Sequence, residues 1–155
     1  MPITVSEIAE RLSDDVSQRA ALVERLRHWT REGLLVPMGD RNPGTGRHRV
    51  YEDSTAFDAA ILNALADQGF QVGRQSYFSV AMGLIDEAKR FWAEKGRSGK
   101  TLYLEIANFA KSSIARRENQ AVFLHKGRRD LIHSSADSSF ALNVSRIFRR
   151  LDKQN

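Results

Sequence analysis

Arg27-His28-Trp29-Thr30-Arg31-Glu32-Gly33-Leu34-Leu35 reads as the C-terminal half of a helix together with its stop. Gly33 is the punctuation, because a glycine just past the last periodic residue takes the left-handed conformation in which helices end. Upstream, Ser13-Asp14-Asp15 offers turn and capping side chains, so the pattern predicts a helix from Val16 to Glu32. Leu22, Leu26 and Trp29 fall on one side of it at helical spacing, with Ala20, Glu24, Arg27 and Arg31 roughly opposite. One side is suited to packing and the other to meeting phosphate.

Working outward, Thr4 and Glu7 form a capping box, Ile3 and Ile8 are placed as a hydrophobic staple, and a first helix should end near Leu12. After Gly33 a short strand is expected from Leu34 to Met38. Gly39-Asp40-Arg41-Asn42-Pro43-Gly44-Thr45-Gly46 then reads as a hairpin tip, and Arg47 to Tyr51 as the return strand. A glycine-rich tip lets backbone approach a sugar-phosphate surface, and Arg41, Arg47 and Arg49 bring charge there. Asp53 to Gln68 reads as an amphipathic helix, with Phe57, Ala60, Ile61, Ala64 and Leu65 on one side and Gly69 as its stop.

Here the residues meet a known family. R-H-W-T-R-E-G-L-L closely resembles the R-Y-Y-E-R-x-G-L-L signature of the MerR-type transcription regulators. Arg47-His48-Arg49-Val50-Tyr51-Glu52-Asp53 resembles their G-Y-R-x-Y wing strand. The resemblance covers about the first half of the chain and implies a winged helix-turn-helix that binds duplex DNA as a homodimer, on a two-fold operator with bent or twisted promoter DNA. It implies a backbone contact for His28, which matches one of the two signature aromatics; Trp29 matches the other, though its side of the helix points to core packing. The sequence departs from the family by inserting residues through Ser13 to Ala21, so either the recognition helix is longer at its N-terminal end or the turn is rebuilt. Base-edge contacts come from that end, and Gln18, Arg19 and Arg25 are candidates by chemistry alone. With Arg27, His28, Arg31, Arg41, Arg47, Arg49 and Tyr51 they make up the candidate DNA-binding set.

Composition bounds the rest. The chain has 155 residues, 41% hydrophobic and 28% charged, as in ordinary globular proteins. Without cysteine, disulfides, thiolate metal sites and thiol redox sensing are excluded. Met1-Pro2-Ile3-Thr4 lacks a basic region followed by an apolar run, and no run approaches the ~20 apolar residues that span a bilayer, so a soluble cytoplasmic protein is expected. The formal net charge of +5 suits a polyanionic partner. It is unevenly spread: residues 1 to 74 net −2, yet Gln18 to Tyr51 alone carries seven Arg against three acids, while residues 75 to 155 net +7.

Ser76 to Lys95 is the longest later helix, and its apolar residues span an arc of roughly 200°, wider than one core needs. Either the chain's own C-terminal half covers the second side, or a second copy does; the resemblance implies the latter, with Val80, Leu84, Ala88 and Phe91 as the dimer interface. Beyond it, strands are expected over Thr101 to Asn108, Ala121 to Lys126 and Ser139 to Val144, leading into a terminal helix around Ile147, Phe148 and Leu151. The Gly-Lys-Thr of Gly99 to Thr101 fails the phosphate-loop register, since Glu94 occupies the leading glycine position. His133 beside Ser134, Ser135 and Asp137 is adjacency in sequence, not triad geometry, and the four histidines lack metal-ligand spacing. No enzyme activity, cofactor or metal is expected. The basic clusters Lys126, Arg128, Arg129 and Arg149, Arg150 suit further phosphates or an acidic protein partner.

The sequence therefore points to a mainly α protein with small β elements: a MerR-like winged helix-turn-helix over residues 1 to 74, a linking and dimerisation helix over 75 to 96, and a small basic α+β unit over 97 to 155. A transcription regulator is the leading expectation. Its rivals are an architectural or excisionase-like accessory factor, a protein-interaction adaptor, and a ligand-gated regulator, the last ranked below a plain dimerisation role because the C-terminal segment is short for a ligand pocket.

Overall fold

The computed structural model describes residues 1–39, 48–68, 77–95, 101–108, 120–126 and 138–152. Five helices and two small antiparallel sheets are present among them, a mainly helical fold. The chain divides into two compact units, Met1–Arg74 with Arg150–Asn155, and Gln75–Arg149. No helix among the described residues is long and apolar enough to cross a membrane.

The first unit opens with strand β1 (Ile3–Thr4), which runs directly into helix α1 (Val5–Leu12). Thr4 caps that helix as its spacing to Glu7 predicts. The Glu7 amide donates to Thr4 Oγ1 at 3.3 Å, and the Thr4 amide donates back to Glu7 Oε2 at 2.6 Å. Asp15 then caps helix α2 (Val16–Glu32), accepting from the Ser17 amide at 2.9 Å. Gly33 ends α2 with φ 78°, a value a side chain resists. Helix α2 thus covers the span that the sequence pattern predicts, Val16–Glu32.

The segment after α2 differs from expectation. Leu34 to Met38 is not a strand, because the Leu34 and Leu35 amides both turn back to the Trp29 carbonyl, at 2.9 and 3.3 Å, and Pro37 has no N–H to give a ladder. Only Met38 bridges, donating to the Val50 carbonyl at 2.8 Å. The return strand is correspondingly short, β2 (Val50–Tyr51), and its partner is β1, with Ile3 opposite Tyr51 and Thr4 opposite Val50. The expected hairpin tip beyond Gly39, with Arg41 and Arg47, lies outside the described residues.

Helix α3 (Thr55–Asp67) starts two residues later than expected, with the Glu52 and Asp53 carbonyls receiving its first amides. It is not simply amphipathic. Ala60, Ile61 and Leu65 are buried as expected, but so are Thr55, Ala56, Asp58, Ala59 and Leu62, whereas Phe57 and Ala64 are half-buried. Alanines on both sides let neighbours approach more of its circumference than a single apolar stripe would allow. Helix α1 packs on both α2 and α3, and the core gathers Ile3, Ile8, Leu22, Leu26, Trp29, Leu35 and Tyr51 with the α3 residues. Each fully buried Leu or Ile contributes about 1.5–3 kcal/mol relative to exposure.

The second unit comprises helix α4 (Tyr77–Lys95), strands β3 (Leu102–Asn108), β4 (Gln120–Lys126) and β5 (Ser138–Asn143), and the start of helix α5 (Val144–Asp152). The sheet order is β4-β3-β5, antiparallel throughout, with Leu104 opposite Leu124 on one side and Leu142 on the other. Val144 begins α5 instead of ending the strand, because the Asn143 side chain accepts the Arg146 amide at 2.9 Å and caps the helix. The buried Ser145 hydroxyl accepts the Leu102 amide at 2.7 Å, tying α5 to the first residue of β3. Phe148 is buried and meets Trp92 of α4 edge-on, ring centroids 5.7 Å apart, with Arg149 over the Trp92 ring.

Candidate nucleic-acid interface

The geometry of α2 is set by what its inner side is tied to. Leu22, Leu26, Trp29 and Thr30 are buried, and Thr30 Oγ1 bonds both the Leu26 carbonyl and the Tyr51 hydroxyl at 2.8 Å. A threonine hydroxyl has one proton, so Thr30 donates to Leu26 and Tyr51 donates to Thr30. Helix and strand are thereby locked together with neither hydroxyl left unpaired. On the opposite side Ala20, Glu24, Arg27 and Arg31 fall within an arc of roughly 60° and are all exposed, with Ser17 and His28 at its margin.

The sequence candidates separate on this frame. Arg27 and His28 stand on the outer side, and Arg27 donates to the Glu24 carboxylate one turn back. Gln18 and Arg25 lie on the flank turned toward α3, lining a polar groove with Ser13, Asn63 and Asp67. Arg25 is engaged there, donating to Asn63 Oδ1 at 2.8 Å and forming an ion pair with Asp67 at 2.6 Å. Arg19, half-buried, donates through Nε to the Ser13 carbonyl at 3.2 Å and holds the turn before α2. Both arginines proposed as base readers therefore serve the unit's own structure. Tyr51 is a correction: it is completely buried with its hydroxyl on Thr30, so it cannot reach a ligand. Arg49 is half-buried and His48 exposed. Ala88 is likewise completely buried within its own chain, so its side chain cannot form a surface for a second copy, whereas Leu84 and Phe91 are half-buried; the side chain of Val80 lies outside the described residues.

Two carboxylates near the amino ends of the helices are held below their ordinary range by hydrogen bonds. Glu7 is lowered by the Thr4 amide and hydroxyl, and Asp15 by the Ser17 hydroxyl and amide. Among the described residues no group of three His, Cys, Asp or Glu side chains is placed to hold a metal ion. Sequence reading passed over the Glu24–Arg27 pair, although its three-residue spacing within a helix is a visible signal. Asn63 and Asp67 carried no such signal, because their link to Arg25 spans 38 and 42 residues. No family profile matches the chain, and no curated protein matches it.

Proposed function

We propose that the chain is a non-catalytic, MerR-like DNA-binding regulator that docks α2 in the major groove of duplex DNA as a winged helix-turn-helix. The observation that carries this reading is the two-sidedness of α2. Its inner side is fixed to α1, β2 and α3, while Arg27, His28 and Arg31 stand outward along its C-terminal half. A rigidly mounted helix with basic groups on its outer side suits phosphate contact, and the Arg-rich segment around Arg41, Arg47 and Arg49 joins α2 to β2, where a wing would extend along the backbone. The exposed α2 arginines hold the protein in register on the duplex. A second copy joins through the half-buried Leu84 and Phe91 of α4.

Selection from a random duplex pool at near-physiological salt tests the reading. Retention of a two-fold motif with fixed half-site spacing is the expected outcome; no retention of duplex at any sequence overturns it.

A further inference from the structure

Glu24 stands near the middle of the outer side of α2, with its side chain 65% exposed, on the surface assigned above to the major groove. A carboxylate there is an anomaly, since a phosphate-lined groove repels it unless its charge is offset and its oxygens are used. Both conditions are available. Arg27 donates to Oε1 and offsets the charge, leaving Oε2 as an acceptor. The preceding exposed positions on this side of the helix are Val16, Ser17 and Ala20, whose short side chains let the backbone come close to the groove floor. Longer basic residues follow, at Arg27, His28 and Arg31, and belong over the phosphates.

An ionised carboxylate only accepts hydrogen bonds, so it needs a base edge that donates. In the major groove the donors are the N4 amino group of cytosine and the N6 amino group of adenine. Adenine sets its N7 acceptor beside that amino group, against the second carboxylate oxygen, whereas cytosine presents the amino group alone. We propose that Glu24 reads a cytosine amino group, with Arg27 as the positioning residue that neutralises and orients the carboxylate. This rests on the DNA-binding reading.

The test is parallel selection from a random duplex pool with the full-length wild-type chain, Glu24→Gln and Glu24→Ala. Glu24 is exposed, so neither substitution disturbs the core. The wild type should fix a C·G pair at one position of the motif. Glu24→Gln should shift that position toward A·T, because an amide matches the adenine donor and acceptor together. Glu24→Ala should leave it degenerate, bind the wild-type motif roughly 5- to 100-fold more weakly, and bind unrelated duplexes more tightly through loss of an anion. An unchanged motif in both variants overturns the assignment and returns the pair to an ordinary solvated ion pair. Retention of duplex without any motif by the wild type also overturns it, while the DNA-binding reading stands. No retention by the wild type overturns both.

Discussion

Replacing Thr30 by valine and Tyr51 by phenylalanine, singly and together, measures how firmly α2 is fixed to β2. Both residues are essentially inaccessible, at 1% and 0% exposure, and their hydroxyls are 2.8 Å apart. The two single changes should not cost the same. Tyr51→Phe removes the donor to Thr30 but leaves Thr30 its own bond to the Leu26 carbonyl, so about 0.5–1.5 kcal/mol is expected. Thr30→Val takes away the acceptor of a phenol with no access to water, and leaving a buried hydroxyl unmatched costs about 1–3 kcal/mol. Removing both hydroxyls abolishes the mismatch, so the double variant should be more stable than Thr30→Val alone. Chemical denaturation followed by Trp29 fluorescence, in a common Trp92→Phe background so that only the first unit reports, gives the three values. If the double variant loses the sum of the single losses to within about 0.5 kcal/mol, the two groups do not interact and the argument fails.

Other outcomes are expected. Arg27→Ala should weaken binding to all duplexes, relax the position assigned to Glu24, and lower the salt dependence by about one unit of slope, measured by anisotropy over a salt series; an unchanged slope removes Arg27 from the phosphate contacts. Gly33→Ala should destabilise the first unit by about 1 kcal/mol or more in the same denaturation assay, because the φ of 78° disfavours a side chain. Glu7 has its folded pKa held below the ordinary 4.5, so it contributes stability that is present above that value and is lost as pH falls through the folded pKa. Glu7→Gln should therefore flatten the acid limb of the stability profile below pH 4.5, and an unchanged limb would show that the box does not persist in solution. Leu84→Glu should sediment as a monomer with unchanged far-UV circular dichroism, and a persisting dimer would move the contact away from α4.

The parts of the fold legible in the sequence are those decided within a turn or two of chain. Thr4 with Glu7 settles the start of α1, and Asp15 with Ser17 and Gly33 settle both ends of α2, through bonds no longer than four residues. The first strand of the second unit is legible by alternation around Leu102, Leu104 and Ile106, and the terminal helix by Ile147, Phe148 and Leu151. Legibility failed where a partner is remote. Nothing local says that Tyr51 turns inward to Thr30, that Val50 pairs with Thr4, or that Arg25 is drawn to Asp67. The same limit governs the candidate site. Arginine is chemically apt for bases and carboxylates alike, and only the placement of α3 decides that Arg25 serves Asp67 while Arg27 faces outward. In α3, abundant alanine blurred the pattern, since a small apolar side chain is at home on either side of a helix.

Thr4 belongs to two elements at once, being the last residue of β1, opposite Val50, and the cap whose hydroxyl starts α1. No hinge residue separates them, so a tug on β2 is delivered to the first turn of α1 with no slack to absorb it. Because α1 packs against both α2 and α3, β2 and the outward helix behave as parts of one lever. A force felt at β2 is felt along α1 and the helices it packs against.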